Sequence, residues 1–167
     1  PVLPPRETSF LCVDLNPVRD EAYFWYDREL RALDLATYEQ RTLWHLPEGF
    51  IRSMTNCTAD GKYVCTGIYQ DLTDRISVDL NRNYVGFREI FAAHPESRIM
   101  RVAADGSGVD CAWSENSWIG HINTSPTQPN ILTFCHEGPW NEVDNRIWGL
   151  DLTTGKAWTI RKPEQGE

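Results

Sequence analysis

Between residues 117 and 146 the chain gathers two histidines, two glutamates, two tryptophans and an arginine, and its chemistry would lie there. Ser117-Trp118-Ile119-Gly120-His121 reads as the start of one strand. Phe134-Cys135-His136-Glu137-Gly138-Pro139-Trp140 closes the next, and Arg146 stands at the mouth of a third. A hairpin joining the first two strands would bring His121 and His136 near one another. These residue types suit an acidic sugar. Trp140 stacks on a ring, Arg146 pairs with a carboxylate through its planar fork, and His121, His136 and Glu137 offer hydrogen bonds. A purely structural reading uses the same residues, because buried histidine and arginine are commonly satisfied by carboxylates, here Glu137 or Asp144. Strand alternation after Arg146 puts Trp148 and Leu150 on one face and Ile147 and Gly149 on the other, and leaves Arg146 on the side of Trp148. His45 and His94 lack a partner motif and read as structural or surface residues.

The elements that must position these side chains are short strands, and they repeat. Arg98-Ile99-Met100-Arg101-Val102-Ala103-Ala104 echoes Glu29-Leu30-Arg31-Ala32-Leu33-Asp34-Leu35 and Arg146-Ile147-Trp148-Gly149-Leu150-Asp151-Leu152. Each copy is followed by a polar turn and another alternating run. Leu33, Val102 and Leu150 occupy equivalent places, 69 and then 48 residues apart. A unit of roughly 40–50 residues with about four strands is the mark of a β-propeller blade. The expected fold is therefore all-β, a β-propeller with three four-stranded antiparallel blades at about 9–50, 51–116 and 117–163. The first blade opens with a strand at Leu11-Cys12-Val13 and a turn at Asn16–Asp20. Between Asp71 and Glu96 the two-residue alternation stops. Tyr84, Phe87, Ile90 and Phe91 recur at helical spacing before Pro95, which predicts one short inserted helix at about 84–94. Three blades leave open edges and no polar caps are evident, so the chain reads as a piece of a larger propeller.

Composition narrows the partners. The net charge of −8 argues against nucleic acid or an anionic membrane as partner. No apolar run approaches the roughly 20 residues of a membrane span. The start, Pro1-Val2-Leu3-Pro4-Pro5, lacks the charged and apolar regions of a signal peptide. Seven Trp and six Tyr favour strands, and most of these rings are expected between blades. The five cysteines form no C-x-x-C pair. Cys12, Cys65, Cys111 and Cys135 lie in strand-like runs and read as buried free thiols of a reducing, cytoplasmic compartment.

Four strings in fixed order resemble the middle of the oligogalacturonate lyase family. They are Phe87-Arg88-Glu89-Ile90-Phe91-Ala92-Ala93-His94-Pro95, Trp118-Ile119-Gly120-His121, Phe134-Cys135-His136-Glu137-Gly138-Pro139 and Val143-Asp144-Asn145-Arg146-Ile147-Trp148. The resemblance runs over roughly residues 10–167, and the third string is its most specific. It implies a seven-bladed parent with roughly two blades before Pro1 and about half of the protein after Glu167. It further implies cleavage of short galacturonate oligomers, as in pectin degradation, by β-elimination. A divalent metal, manganese in most members, binds the uronate carboxylate there, and a histidine takes the proton. On this resemblance the base lies in a His-Glu-Phe-Trp string just beyond Glu167 and the metal ligands lie further on, so no residue of this chain binds metal. Arg146 carries over as the group that holds substrate carboxylate. His121 and His136 match family histidines that face substrate, and no chemical step is assigned to them. The remaining blades of the parent are its implied partner. The competing class is a non-catalytic propeller, a TolB-like or WD-repeat-like scaffold, which shares the blade pattern but has no need of the segment from His136 to Arg146.

Overall fold

Successive residues of a strand point to opposite faces of its sheet, so a sheet packed between two neighbours sorts its side chains alternately to either side. A computed structural model describes residues 13–80 and 82–161. Twelve strands form three four-stranded antiparallel sheets. The first holds β1 (Asp14–Asn16), β2 (Glu21–Tyr26), β3 (Glu29–Asp34) and β4 (Gln40–His45). The second holds β5 (Phe50–Cys57), β6 (Tyr63–Gln70), β7 (Ser97–Ala103) and β8 (Val109–Glu115). The third holds β9 (Ile119–Thr124), β10 (Ile131–His136), β11 (Ile147–Asp151) and β12 (Lys156–Thr159). Within each sheet the strands pair in chain order, the meander of a propeller blade. Leu33, Val102 and Leu150 all fall in the third strand of their sheets, so the repeat read from the sequence has the right phase.

The second sheet is buried on both faces, and its alternation assigns the sides. Val64, Ile68, Met100 and Val102 pack with Tyr23, Trp25, Leu30 and Ala32 of the first sheet. Cys65 and Ile99, one residue out of step, pack with Ile119, Ile122, Leu132, Phe134 and Leu150 of the third. Polar groups stitch the same seams. Asn16 donates to the Tyr23 hydroxyl (2.8 Å) and to the Gly61 carbonyl (2.9 Å). Gly61 sits in the Asp-Gly turn with φ 69°, and a Cβ there would come within 2.6 Å of the Asn16 side chain. This position therefore requires glycine twice over, for its backbone and for the close approach. Tyr23 donates in turn to Glu21 (2.8 Å), which also accepts from Arg41 (2.8 Å) and Arg19 (3.1 Å). Burial alone would raise the Glu21 carboxyl, but these three donors hold it below the usual range.

Several boundaries differ from expectation. Residues 11 and 12 of the first predicted strand lie outside the described residues. Val13 is irregular, and the strand is Asp14–Asn16, so Asn16 closes β1 instead of opening the turn. The inserted helix, α1, spans Phe87–Ala92 and excludes Tyr84. Asn83 and Tyr84 instead have φ of 55° and 54°, and Val85 donates back to the Arg82 carbonyl (3.3 Å). That is a left-handed two-residue turn, which helical spacing could not reveal. Cys111 is exposed, whereas Cys65 is buried and its thiol is pushed up to about 12. No described helix is long and apolar enough to cross a membrane.

Candidate functional site

The site grows from an irregularity in β9. Asn123 pairs with Thr133 of β10, and Gly120 pairs with Cys135, so His121 and Ile122 together oppose Phe134. This is a β-bulge, with His121 as the residue in the left-handed region at φ 49°. Simple alternation would put His121 on the face of Ile119 and His136. The bulge gives that place to Ile122, which is fully buried, and turns His121 to the opposite face, where its side chain is half exposed. A non-glycine residue held in this conformation is a strained feature of the kind that gathers at functional sites.

Glu137 follows β10 and lies against β9. Its amide donates to the Trp118 carbonyl (2.8 Å). Its carboxylate, 17% exposed, overlies Gly120 so closely that a Cβ there would collide with it. Glycine at 120 is thus the socket that lets Glu137 approach the sheet. The carboxylate stands 3.5 Å from His121 Nε2 and 3.8 Å from Arg146. The Arg146 side chain is 20% exposed. Its guanidinium stacks on Trp140 at 4.2 Å from the ring centre and donates to the carbonyls of Gly138 (2.6 Å) and His136 (3.4 Å). Trp140 is 84% exposed, so its other face is open to a ligand. Burial and the nearby Glu137 raise the Cys135 thiol, which is therefore a neutral wall of the site and no nucleophile.

The structure brings His121, Glu137, Trp140 and Arg146 together around one groove of about 720 Å³. It separates His136 from them. His136 lies on the face toward the second sheet, against Phe134 and Trp148, and its Nε2 is 2.7 Å from Glu115 of β8. It borders a smaller cavity of about 230 Å³ with α1, and only Glu137 is shared between the two spaces. Arg146 also departs from expectation. It precedes β11, outside the strand's alternation, and its guanidinium lies with Cys135 and Glu137, away from the Trp148 face. The anticipated ion pair with Glu137 exists, and Arg146 additionally clamps its own loop. Sequence reasoning missed Gly120 as the socket, and Tyr84 and Arg88 as further walls of the groove. Gly120 had a signal in the string Ile119-Gly120-His121, since a glycine inside a strand marks a bulge or a close approach.

His136 makes a seam between the second and third sheets, so its effect should appear in stability. Replacing His136 by Ala removes a part-buried hydrogen bond to a carboxylate and leaves Glu115 short of a partner. Unfolding of the full-length protein should become easier by about 1–3 kcal/mol, read by denaturant titration.

Among the described residues no group of three or more His, Cys, Asp or Glu is placed to hold a metal ion. The residues around Arg146 do not fit a metal centre, and no step is assigned to one here.

Residues 8–167 match the family model of oligogalacturonate lyase. The oligogalacturonide lyase of Pectobacterium atrosepticum is 26% identical over 161 residues, which are 92% of this chain and 39% of that protein. The chain therefore spans well under half of that relative. The solved structure of an oligogalacturonate lyase in complex with manganese superposes with a TM-score of 0.84 at 24% identity, covering 99% of this chain and 43% of that one. TolB from Acinetobacter baumannii superposes with a TM-score of 0.56 at 15% identity, covering 94% of this chain and 33% of that one. The TolB likeness is one of fold alone.

Proposed function

The chain belongs to the oligogalacturonate lyase family, and from that premise we propose that its parent protein cleaves short galacturonate oligomers by β-elimination in the cytoplasm, as a step of pectin degradation. In this reaction the proton on the carbon beside the uronate carboxylate is removed, its electron pair forms a carbon–carbon double bond, and the glycosidic oxygen leaves from the next carbon. Negative charge builds on the carboxylate as the proton departs. A guanidinium already aimed at that carboxylate stabilises the charge more in the transition state than in the ground state. We assign this to Arg146, with Trp140 beneath it as a platform for the sugar ring. His121 and Glu137 are assigned to the ring hydroxyls, with which an imidazole and a carboxylate can form hydrogen bonds. The base and a divalent metal, manganese, are supplied by blades outside this chain. The metal would supply further neutralisation of the carboxylate.

The observation that carries this reading is Arg146 held over the ring of an exposed tryptophan inside a groove. Interaction blades have no use for that arrangement. The test is to incubate the full-length protein with purified trigalacturonate and manganese and follow the ultraviolet absorbance of the unsaturated product. Product should form with the full-length protein. The 167-residue chain alone should form none. Turnover by the 167-residue chain alone would place the base within it and overturn the assignment.

A further inference from the structure

Tyr84 stands where a tyrosine is costly. It is the second central residue of the left-handed turn at Asn83 and Tyr84, a place where glycine or asparagine is unstrained and a bulky ring is an outlier. The ring gains little burial in return, since it is 69% exposed. It lines the same groove as Trp140 and Arg146. It is nevertheless well supported. Tyr84 meets Phe87 edge-on with ring centres 5.6 Å apart, Phe87 meets Trp118 at 5.3 Å, and Trp118 meets Tyr69 at 5.9 Å. This ladder of rings roots an exposed tyrosine of the insertion in the second and third sheets.

We infer that Tyr84 is a second sugar-stacking platform, taking a uronate ring beyond the one that Arg146 holds, so that the insertion sets the preference for longer oligomers. Two exposed aromatic rings in one groove that two arginines also line match a chain of sugars whose faces are apolar and whose edges carry carboxylates. Arg88 lines the same groove and is held by an ion pair with Glu142. A groove of about 720 Å³ is within the size range of sites that enclose a drug-sized ligand. Strain retained at an exposed ring is accounted for when the ring meets a ligand. The inference rests on the lyase reading of the parent protein.

The experiment compares digalacturonate with trigalacturonate as substrates of the full-length protein, with Tyr84→Gly and Tyr84→Phe. Tyr84→Gly should lower the ratio of trimer to dimer kcat/KM by roughly five- to tenfold, mostly through the KM for the trimer. The melting temperature should hold or rise, because glycine relieves the turn. Tyr84→Phe should restore the ratio. An unchanged ratio in Tyr84→Gly overturns the platform and leaves the lyase reading intact. So does a fall in melting temperature with no change of ratio, which would make the ring a packing residue for Phe87. Wild-type protein that makes no unsaturated product from either oligomer overturns both readings together.

Discussion

Replacing Arg146 by Lys should lower kcat/KM of the full-length protein on oligogalacturonate by about two orders of magnitude or more, close to 3 kcal/mol of transition-state stabilisation. The charge survives, but the planar fork and its stacking face do not. A lysine ammonium cannot lie flat on Trp140, and it cannot hold the Gly138 carbonyl while it addresses a substrate carboxylate in two places. The structure gives this variant a measurable structural cost as well. Arg146 donates to two carbonyls of its own loop, so some loss of stability is expected, about 1 kcal/mol. Activity and stability must therefore be read together. A variant that remains fully active, or that loses activity only in step with unfolding, would make Arg146 a clamp of the loop 137–145 and nothing more.

The largest stability effect should come from Trp25→Ala, at about 3–5 kcal/mol. Trp25 is fully buried where the first sheet meets the second. Its indole N–H donates to Thr55 Oγ1 (3.0 Å) across the seam, and Thr55 is itself paired with Thr66 (3.1 Å). Its ring meets Trp44 edge-on with centres 5.9 Å apart. Alanine leaves a cavity between sheets and a buried hydroxyl pair with one donor fewer. Trp25→Phe keeps most of the volume and loses the N–H, so it should cost about 1–2 kcal/mol. Denaturant unfolding of both variants separates the packing contribution from the hydrogen bond. A Trp25→Ala protein as stable as wild type would mean that this seam does not hold the sheets together.

Much of this architecture is legible in the sequence because blades obey simple periods. Strand pairs must bury alternate residues, and Asp60-Gly61 marks its hairpin by chemistry that few other residues share. The phase of Leu33, Val102 and Leu150 follows from that. The site is less legible for the same reason. It is built where the periods fail. His121 and His136 look like partners because Ile119 pairs with His136 and alternation should carry His121 to the same face. One extra residue in β9 reverses that, and no residue type announces it except Gly120. Arg146 is read on the wrong face because it stands one residue before its strand and follows the loop instead. Tyr84 is read as part of a helix because its spacing to Phe87 and Phe91 is helical, while its backbone is left-handed. For His121 and Tyr84 a left-handed backbone that costs free energy overrides the pattern, and for Arg146 the loop before the strand does.

The insertion has a bearing on how such proteins diversify. It leaves the second sheet after β6 and returns at β7, and its root is closed by the pairing of Tyr69 with Ser97 and by the amide of Gln70 on the Glu96 carbonyl (2.8 Å). Residues can be added or deleted between 72 and 95 without shifting the register of either strand, at a loop-closure cost that grows only slowly with length. His121 stands in the third sheet and Glu137 and Arg146 directly flank its strands β10 and β11, whose register tolerates no such change. On the lyase reading, the residues assigned to the substrate carboxylate and hydroxyls and the platform assigned to a further sugar ring lie on separate stretches of chain. On that reading a gain or loss of loop residues would change the oligomer length preferred while leaving Arg146, His121 and Glu137 where they stand.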